Sequence, residues 1–210
     1  LKDTTSIIAA VTSGVPQGSV LAPILLTIFI NDLPLSTEVK LRLFADDCVL
    51  YQEINTPTDH LILNQAIEDV HTWCKKWQMS LNIGKCVSMT IIRKKHRSNF
   101  FYTIENCPLA TVSSHKYLGI TISSVLRWDI HIDKITSTAI KRLFLLKRRL
   151  KLAPPNTTLI AYTTLDRYVL DYASPVWFPY THQQINKIKV VQRKAIRFIF
   201  SKYRLTDAPT

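Results

Sequence analysis

Two aspartates, Asp46 and Asp47, stand side by side in LRLFADDCVLYQ, residues 41–52. Burying one unpaired carboxylate is costly, and two adjacent like charges are worse. Two explanations suit the pair. Asp is a good turn residue. Paired carboxylates are also hard oxygen ligands of the kind Mg²⁺ prefers, the cation completing its shell with water and substrate phosphates. The pair alone leaves both open.

The elements that must position the pair come next. Val39, Leu41 and Leu43 alternate with Lys40, Arg42 and Phe44, and Val49, Leu50 and Tyr51 resume β-favouring residues. The period of two predicts strand, tight turn, strand over residues 39–52, with Ala45, Asp46 and Asp47 at the tip. Upstream, Ser13 to Asp32 reads as turn chemistry followed by an apolar helix. Downstream, Thr56-Pro57-Thr58-Asp59 predicts a helix start, with Thr56 as cap, Pro57 at the first helical position and Asp59 in the first turn. Leu63, Ile67, Val70, Cys74 and Trp77 then form one stripe. Alternation returns at residues 85–95, and residues 100–104 and 116–122 are short strand candidates. Beyond them the pattern is helical. Ile132, Ile135, Ala139, Leu143, Leu146 and Leu150 step by three and four. After the break at Ala153-Pro154-Pro155-Asn156 come Leu159, Tyr162, Leu165 and Val169. A third helix over residues 182–200 carries Ile185, Ile188, Val191, Ala195 and Phe198 on one face.

Composition narrows the function classes. With 210 residues, 47% hydrophobic and 20% charged, the chain is globular in character and long enough for one or two domains. No secretory signal is visible, and the apolar run from Val20 to Ile30 is too short to cross a bilayer and contains Pro23. A soluble intracellular protein, nuclear or cytoplasmic, with no membrane partner is expected. The four cysteines show no C-x-x-C pair and the six histidines no metal-ligand spacing, so zinc is not expected and the thiols are read as free. Residues 1–105 carry ten lysines and arginines against ten acids; residues 106–210 carry seventeen against five. The whole net charge of +12 therefore belongs to the second half. Nucleic acid is the leading polyanionic partner, ahead of an anionic membrane surface, and a solvated basic face is the plain alternative.

A second motif precedes the aspartates. Ser13 to Pro23 reads SGVPQGSVLAP. Gly14 and Gly18 permit close backbone approach, Gln17 offers an amide, and the following helix N-terminus offers free N–H groups. With LFADD some 20 residues on, this resembles the reverse transcriptases of LINE-type (non-LTR) retrotransposons. The resemblance continues in order through WQMSLNIGKC (Trp77–Cys86), KYLGITISSVLRW (Lys116–Trp128) and YASPVW (Tyr172–Trp177), and runs from about residue 12 to about 200.

The resemblance implies roles. Asp46 and Asp47 would be catalytic metal ligands for Mg²⁺, with Mn²⁺ as an alternative, Asp46 being the main ligand. In the two-metal scheme such cations activate the primer hydroxyl and stabilise the departing oxygen. Gly14, Pro16, Gln17 and Gly18 would contact template and incoming nucleotide. Lys85 would help protonate the departing pyrophosphate; as an isolated residue it reads as a surface charge at a strand start. Tyr117, Leu118 and Gly119 would form the primer grip. Lys141, Arg142, Arg148, Arg193, Lys194 and Arg197 would line a thumb. The partners implied are an RNA template, a DNA primer and deoxynucleotide triphosphates.

The implied fold is α+β: a partial polymerase palm, an antiparallel sheet with packed helices, over residues 1–112; a primer-grip-like hairpin and linker over 113–128; and an all-helical basic thumb over 129–210. One part of the family pattern is missing. Another catalytic aspartate lies upstream of the SGVPQGS-like element in such polymerases, and the one carboxylate before Ser13 is Asp3, without a strand pattern around it. Asp32 follows the motif and reads as a helix-end polar residue. The chain is thus expected to be the C-terminal half of an RNA-directed DNA polymerase domain; the alternative is an inactive retrotransposon remnant that only binds nucleic acid.

Overall fold

The computed structural model describes residues 14, 18–92 and 100–200. The chain forms two compact units, one of residues 1–87 and 99–110, the other of residues 88–98 and 111–210.

The first unit contains helix α1 (Ala22–Phe29), strands β1 (Lys40–Phe44) and β2 (Asp47–Tyr51), and the long helix α2 (Pro57–Lys76). The chain leaves it at β3 (Val87–Ser88), returns for β4 (Thr103–Ile104) and β5 (Cys107–Pro108), and leaves again at β6 (Ala110–Thr111). Helix α2 starts where its sequence says. The Asp59 carboxylate accepts the backbone N–H groups of Asn55 at 2.8 Å and Thr56 at 2.7 Å, and these hydrogen bonds hold it below the usual carboxylate range. The helix divides two apolar clusters. Val70, Trp73 and Cys74 pack with Ile30, Leu33 and Leu41, while Leu63 and Ile67 pack against Tyr102, Ile104 and Leu109. Trp73 is buried, whereas Trp77, expected on the stripe, caps the helix and is exposed. Its ring instead meets Phe29 of α1 at 5.6 Å. An all-round apolar helix usually signals burial, yet Ile24, Leu25 and Ile28 of α1 are exposed.

The second unit begins with the hairpin β7 (Ser114–Tyr117) and β8 (Ile120–Ser123), followed by helices α3 (Asp129–Arg149), α4 (Pro155–Tyr162), α5 (Tyr168–Asp171), α6 (Ser174–Trp177) and α7 (His182–Ile199). Residues 163–167, between α4 and α5, form a π-helical segment. Ala139 packs with Val191, and Leu143 and Leu146 with Ala195 and Phe198, so α3 and α7 run parallel. The chain between them returns antiparallel, bringing Tyr162 to the later layer and Leu170 to the earlier one. The two parallel helices are tied at their starts. Gln184, 1% exposed, accepts the Thr181 N–H at 3.4 Å in a capping box and donates to Asp129 at 3.0 Å.

The α+β class stands, but not one shared sheet. Among the described residues β1–β2, β4–β5 and β7–β8 are separate two-stranded antiparallel hairpins. The strand expected over residues 85–95 shrinks to Val87–Ser88, and its residues 93–95 lie outside the described residues. The helix expected over Leu159–Val169 is interrupted by the π-helical turn. The hairpin of residues 113–128 belongs to the same unit as the helices after it.

The π-helical turn buries Asp166 completely, and neither carboxylate oxygen has a hydrogen-bond partner among the described residues. Burial pushes its pKa up to about 6, against the pull of Arg142. That guanidinium is engaged elsewhere, donating to the Leu165 carbonyl at 3.3 Å and to the Tyr168 hydroxyl. Between about pH 4 and the raised value the folded chain holds a proton that the unfolded chain has lost, so stability falls as pH rises through that window. Replacing Asp166 with Asn should leave acid stability little changed and raise stability above neutrality by up to roughly 3 kcal/mol. Urea midpoints of both proteins across the pH range would show it; a constant difference would contradict the assignment.

Candidate functional site

The hairpin register decides what the aspartates face. Leu41 pairs with Leu50 and Leu43 with Cys48, and these four pack against the Ile30–Leu33–Val70 cluster. Phe44 pairs with Asp47, so only Ala45 and Asp46 form the tip and Asp47 opens β2. Side chains alternate across a strand, so Asp47 lies on the face opposite the core, with Phe44, Arg42 and Tyr51. Phe44 is 60% exposed there. Ala45 takes a φ of +51°, at a cost of about 1 kcal/mol for a non-glycine residue. Both aspartates are exposed, and among the described residues neither has a hydrogen-bond or ion-pair partner. The cation nearest in register, Arg42, lies over the Tyr51 ring at 5.7 Å and donates to the Leu41 carbonyl at 3.0 Å.

Two accessible, unpaired carboxylates on a braced turn are a donor set that fits a hard divalent cation. No cluster of three or more His, Cys, Asp or Glu with metal-holding geometry occurs among the described residues.

Lys85 ends a 3₁₀ turn (Ile83–Lys85) and is exposed. Its neighbours Ile83 and Cys86 pack on the Tyr102–Ile104–Leu109 cluster, whereas the aspartate hairpin packs on the other side of α2. No hydrogen bond or ion pair joins Lys85 to either aspartate among the described residues. In the SGVPQGS segment, Gly14 and Gly18 have φ values of +88° and +86°, and a Cβ at either position would meet nothing within 4 Å, so backbone conformation rather than crowding calls for glycine there. Pro16 and Gln17 lie outside the described residues.

In the second unit Tyr117 pairs with Ile120, leaving Leu118 and Gly119 as a two-residue tip with φ values of +46° and +83°. Positive φ at both positions is the hairpin turn that matches strand twist. Lys141 and Arg148 of α3 and Arg193, Lys194 and Arg197 of α7 point to solvent. Arg142 differs, its guanidinium sitting over the Tyr168 ring at 5.1 Å. The described acids of this unit are all engaged or hidden. Asp129 binds Gln184 and Arg127, Asp133 binds Lys187, Asp171 binds Arg167, and Asp166 is buried. Sequence patterns pointed to the basic residues; they gave no sign of this neutralisation of the acids or of Gln184 as the joint between helices. The thiols are free, and burial pushes Cys48 up to about 11. Among the described residues no helix is long and apolar enough to cross a membrane.

Comparison with known proteins places the chain. Residues 3–122 match the family described as reverse transcriptase (RNA-dependent DNA polymerase), and the chain belongs to that family. It is 31% identical over 212 residues to the RNA-directed DNA polymerase from mobile element jockey of Drosophila funebris, covering 90% of this chain and 22% of that protein. It is 28% identical over 203 residues to the probable RNA-directed DNA polymerase from transposon X-element of Drosophila melanogaster, again covering 90% of this chain and 22% of the relative. A similar match, 26% over 223 residues, links it to the probable RNA-directed DNA polymerase from transposon BS of the same fly, covering 100% of this chain and 24% of that protein. These relatives are polymerases of non-LTR retrotransposons. The chain spans less than a quarter of their length. No solved structure matches it.

The basic helices generate a prediction about salt. Binding of the 210-residue chain to duplex DNA should weaken with salt at a log–log slope of about −0.9 per phosphate neutralised. Replacing Arg193, Lys194 and Arg197 with Gln together should flatten the slope by up to about 3, one step for each lost phosphate contact. Fluorescence anisotropy at several salt concentrations measures both, and a slope near zero for the unmodified chain would remove nucleic acid as the partner of this surface.

Proposed function

We propose that this chain carries the metal-binding hairpin and the thumb of an RNA-directed DNA polymerase that adds deoxynucleotides to a primer 3′ end on an RNA template, releasing pyrophosphate. One observation carries the reading: Asp46 at the tip and Asp47 at the start of β2 are exposed and, among the described residues, unpaired, on a hairpin whose other face is anchored in a core.

In this reading Asp46 and Asp47 hold Mg²⁺, or Mn²⁺ in its place. Once bound there, divalent cations supply the charge that activates a primer hydroxyl and stabilises the departing oxygen. The chain's own residues orient. The core packing of Leu41, Leu43, Cys48 and Leu50 fixes where the carboxylates point. Gly14, Gly18 and the intervening Pro16 and Gln17 contact template and nucleotide. The turn at Tyr117, Leu118 and Gly119 holds the primer end. Lys141, Arg148, Arg193, Lys194 and Arg197 take phosphates, giving affinity without sequence preference. Lys85 donates a proton to the leaving pyrophosphate, which requires nucleotide to bridge the interval between it and the aspartates.

A second reading is favoured by one finding, that no third metal-holding acid joins the pair among the described residues. On that reading the chain binds nucleic acid and performs no chemistry.

Two measurements follow. Paramagnetic broadening by Mn²⁺ should centre on Ala45–Asp47, and Asp46→Asn should weaken binding about tenfold, or ~1.4 kcal/mol. Equal binding by both proteins would sink the metal assignment. Primer extension on an RNA template by the 210-residue chain should stay at background, because losing one well-placed electrostatic partner already costs on the order of 10² to 10³ in rate. A chain lengthened at its N terminus with an aspartate-bearing strand should extend primers, and its Asp46→Ala variant should not. Extension by the 210-residue chain itself would show that two carboxylates suffice.

A further inference from the structure

The YASPVW segment has no role in the reading above, yet its first and last residues hold the β7–β8 turn. The Tyr172 hydroxyl donates to the Leu118 carbonyl at 2.9 Å. The same ring covers Gly119 so closely that a Cβ there would lie 3.1 Å from Cε1. Tyr172 is itself fixed. Its carbonyl accepts the Trp177 indole N–H at 2.8 Å, and Ala173, at a φ of +50°, turns the chain so that Trp177 can reach back. Trp177 is 2% exposed and meets the buried His131 ring edge-on at 5.3 Å. His131 in turn accepts the Thr121 N–H at 3.2 Å, and Lys134 donates to the Thr121 hydroxyl at 3.3 Å. Burial and Lys134 hold His131 below the usual imidazole range, which keeps the accepting nitrogen unprotonated. The hairpin is thus clasped at its tip by Tyr172 and along β8 by His131, and both clasps meet at Trp177.

We infer that Tyr172 is a positioning residue, setting the Leu118–Gly119 turn where it meets the primer 3′ end, with Trp177 fixing Tyr172. The inference rests on the primer-grip reading of that turn. Its physical basis is that Leu118 is half-buried and holds a positive φ although it is not glycine, with Gly119 exposed beside it, so the turn's geometry depends on an outside support. Tyr172 supplies that support while remaining 54% exposed, which leaves the tip open to a partner.

The test uses the 210-residue chain, a DNA primer recessed on an RNA template, and 2-aminopurine placed either at the primer 3′ terminus or internally. Unmodified protein should change the fluorescence of the terminal probe. Tyr172→Phe keeps the ring over Gly119 and removes only the hydroxyl. It should lose most of the terminal change while hybrid affinity and the internal probe stay as in the unmodified chain, because phosphate contacts on the helices carry affinity. Gly119→Ala, which presses a methyl into the ring, should also lose the terminal change. Amide exchange at Leu118–Ile120 in free protein should quicken in both variants. If the unmodified chain perturbs the terminal probe and Tyr172→Phe does so equally, Tyr172 does not position the turn and the primer-grip reading survives. If the unmodified chain leaves the terminal probe unperturbed, the primer-grip reading falls and takes the positioning role with it, even where exchange shows the clasp to be structural.

Discussion

The pairing of Phe44 with Asp47 constrains everything the first unit can present. Side chains on a strand alternate, so slipping the register by one residue would move Leu41 and Leu43 to water and turn an aspartate toward the core. The cluster of Ile30, Leu33, Val70, Trp73 and Cys74 opposes that slip, because it is filled by those two leucines and their partners Cys48 and Leu50. Hydrophobic packing on one face is therefore what makes two adjacent carboxylates tolerable on the other. Ala45 accepts a positive φ so that the connection can be as short as two residues. A longer loop would relieve that strain and also give the aspartates freedom that a ligand would have to remove on binding.

The second unit solves a different problem. Parallel helices such as α3 and α7 bring like ends of their dipoles together, and an N-terminal pair leaves many N–H groups to satisfy. Gln184 meets part of this demand by closing the capping box of α7, and its amide N–H also donates to Asp129 at the start of α3. The Gln184 hydrogen bond, with Arg127 beside it, holds Asp129 below the usual carboxylate range, so negative charge stays at the helix N-terminus where the dipole favours it. Asp133 and Lys187 join the same two helices one turn further on.

Much of this was readable in the residues, and the misses have physical causes. Alternation across residues 39–44 announced the hairpin because one face is buried, and Thr56-Pro57-Thr58-Asp59 announced α2 because caps act locally. Isolated periodicity could not say that Asp47 belongs to β2 rather than to the tip, since turn length is set by backbone dihedrals that Ala45 does not advertise. The alternation over residues 85–95 predicted a longer strand than Val87–Ser88 because period two records side-chain placement, while a strand also needs a paired neighbour. Leu159 to Val169 kept helical spacing through a π-helical turn, which adds a residue without disturbing the apolar pattern enough to be seen. The proposed site residues were named from motif order. What motif order could not carry was engagement: that Arg142 is tied to Tyr168 and Leu165, and that Tyr172 reaches 54 residues back to Leu118.

The aspartate turn and the basic helices also treat their charges in opposite ways, and this bears on what each can bind. In the basic unit, the described acids are paired, capped or buried, so the exposed cations on α3 and α7 meet little internal competition for a polyanion. At the aspartate turn of the first unit the arrangement is reversed, although other acids of that unit, such as Asp59 and Glu105, are engaged. Among the described residues the exposed acids at the turn have no cation partner, although Arg42 lies on the same face of the sheet. Stacking Arg42 on Tyr51 and tying it to the Leu41 carbonyl keeps it from pairing with Asp47. A surface ion pair there would add little to stability, at most about 1 kcal/mol, yet it would occupy the oxygens that a cation needs. In the proposed reading, leaving the carboxylates unpaired costs the fold little and keeps their oxygens available to a cation, and pairing the acids of the other unit costs little and leaves its exposed cations available to phosphates. On that reading the same weak surface electrostatics, turned in opposite directions, suits one surface to a metal and another to nucleic acid.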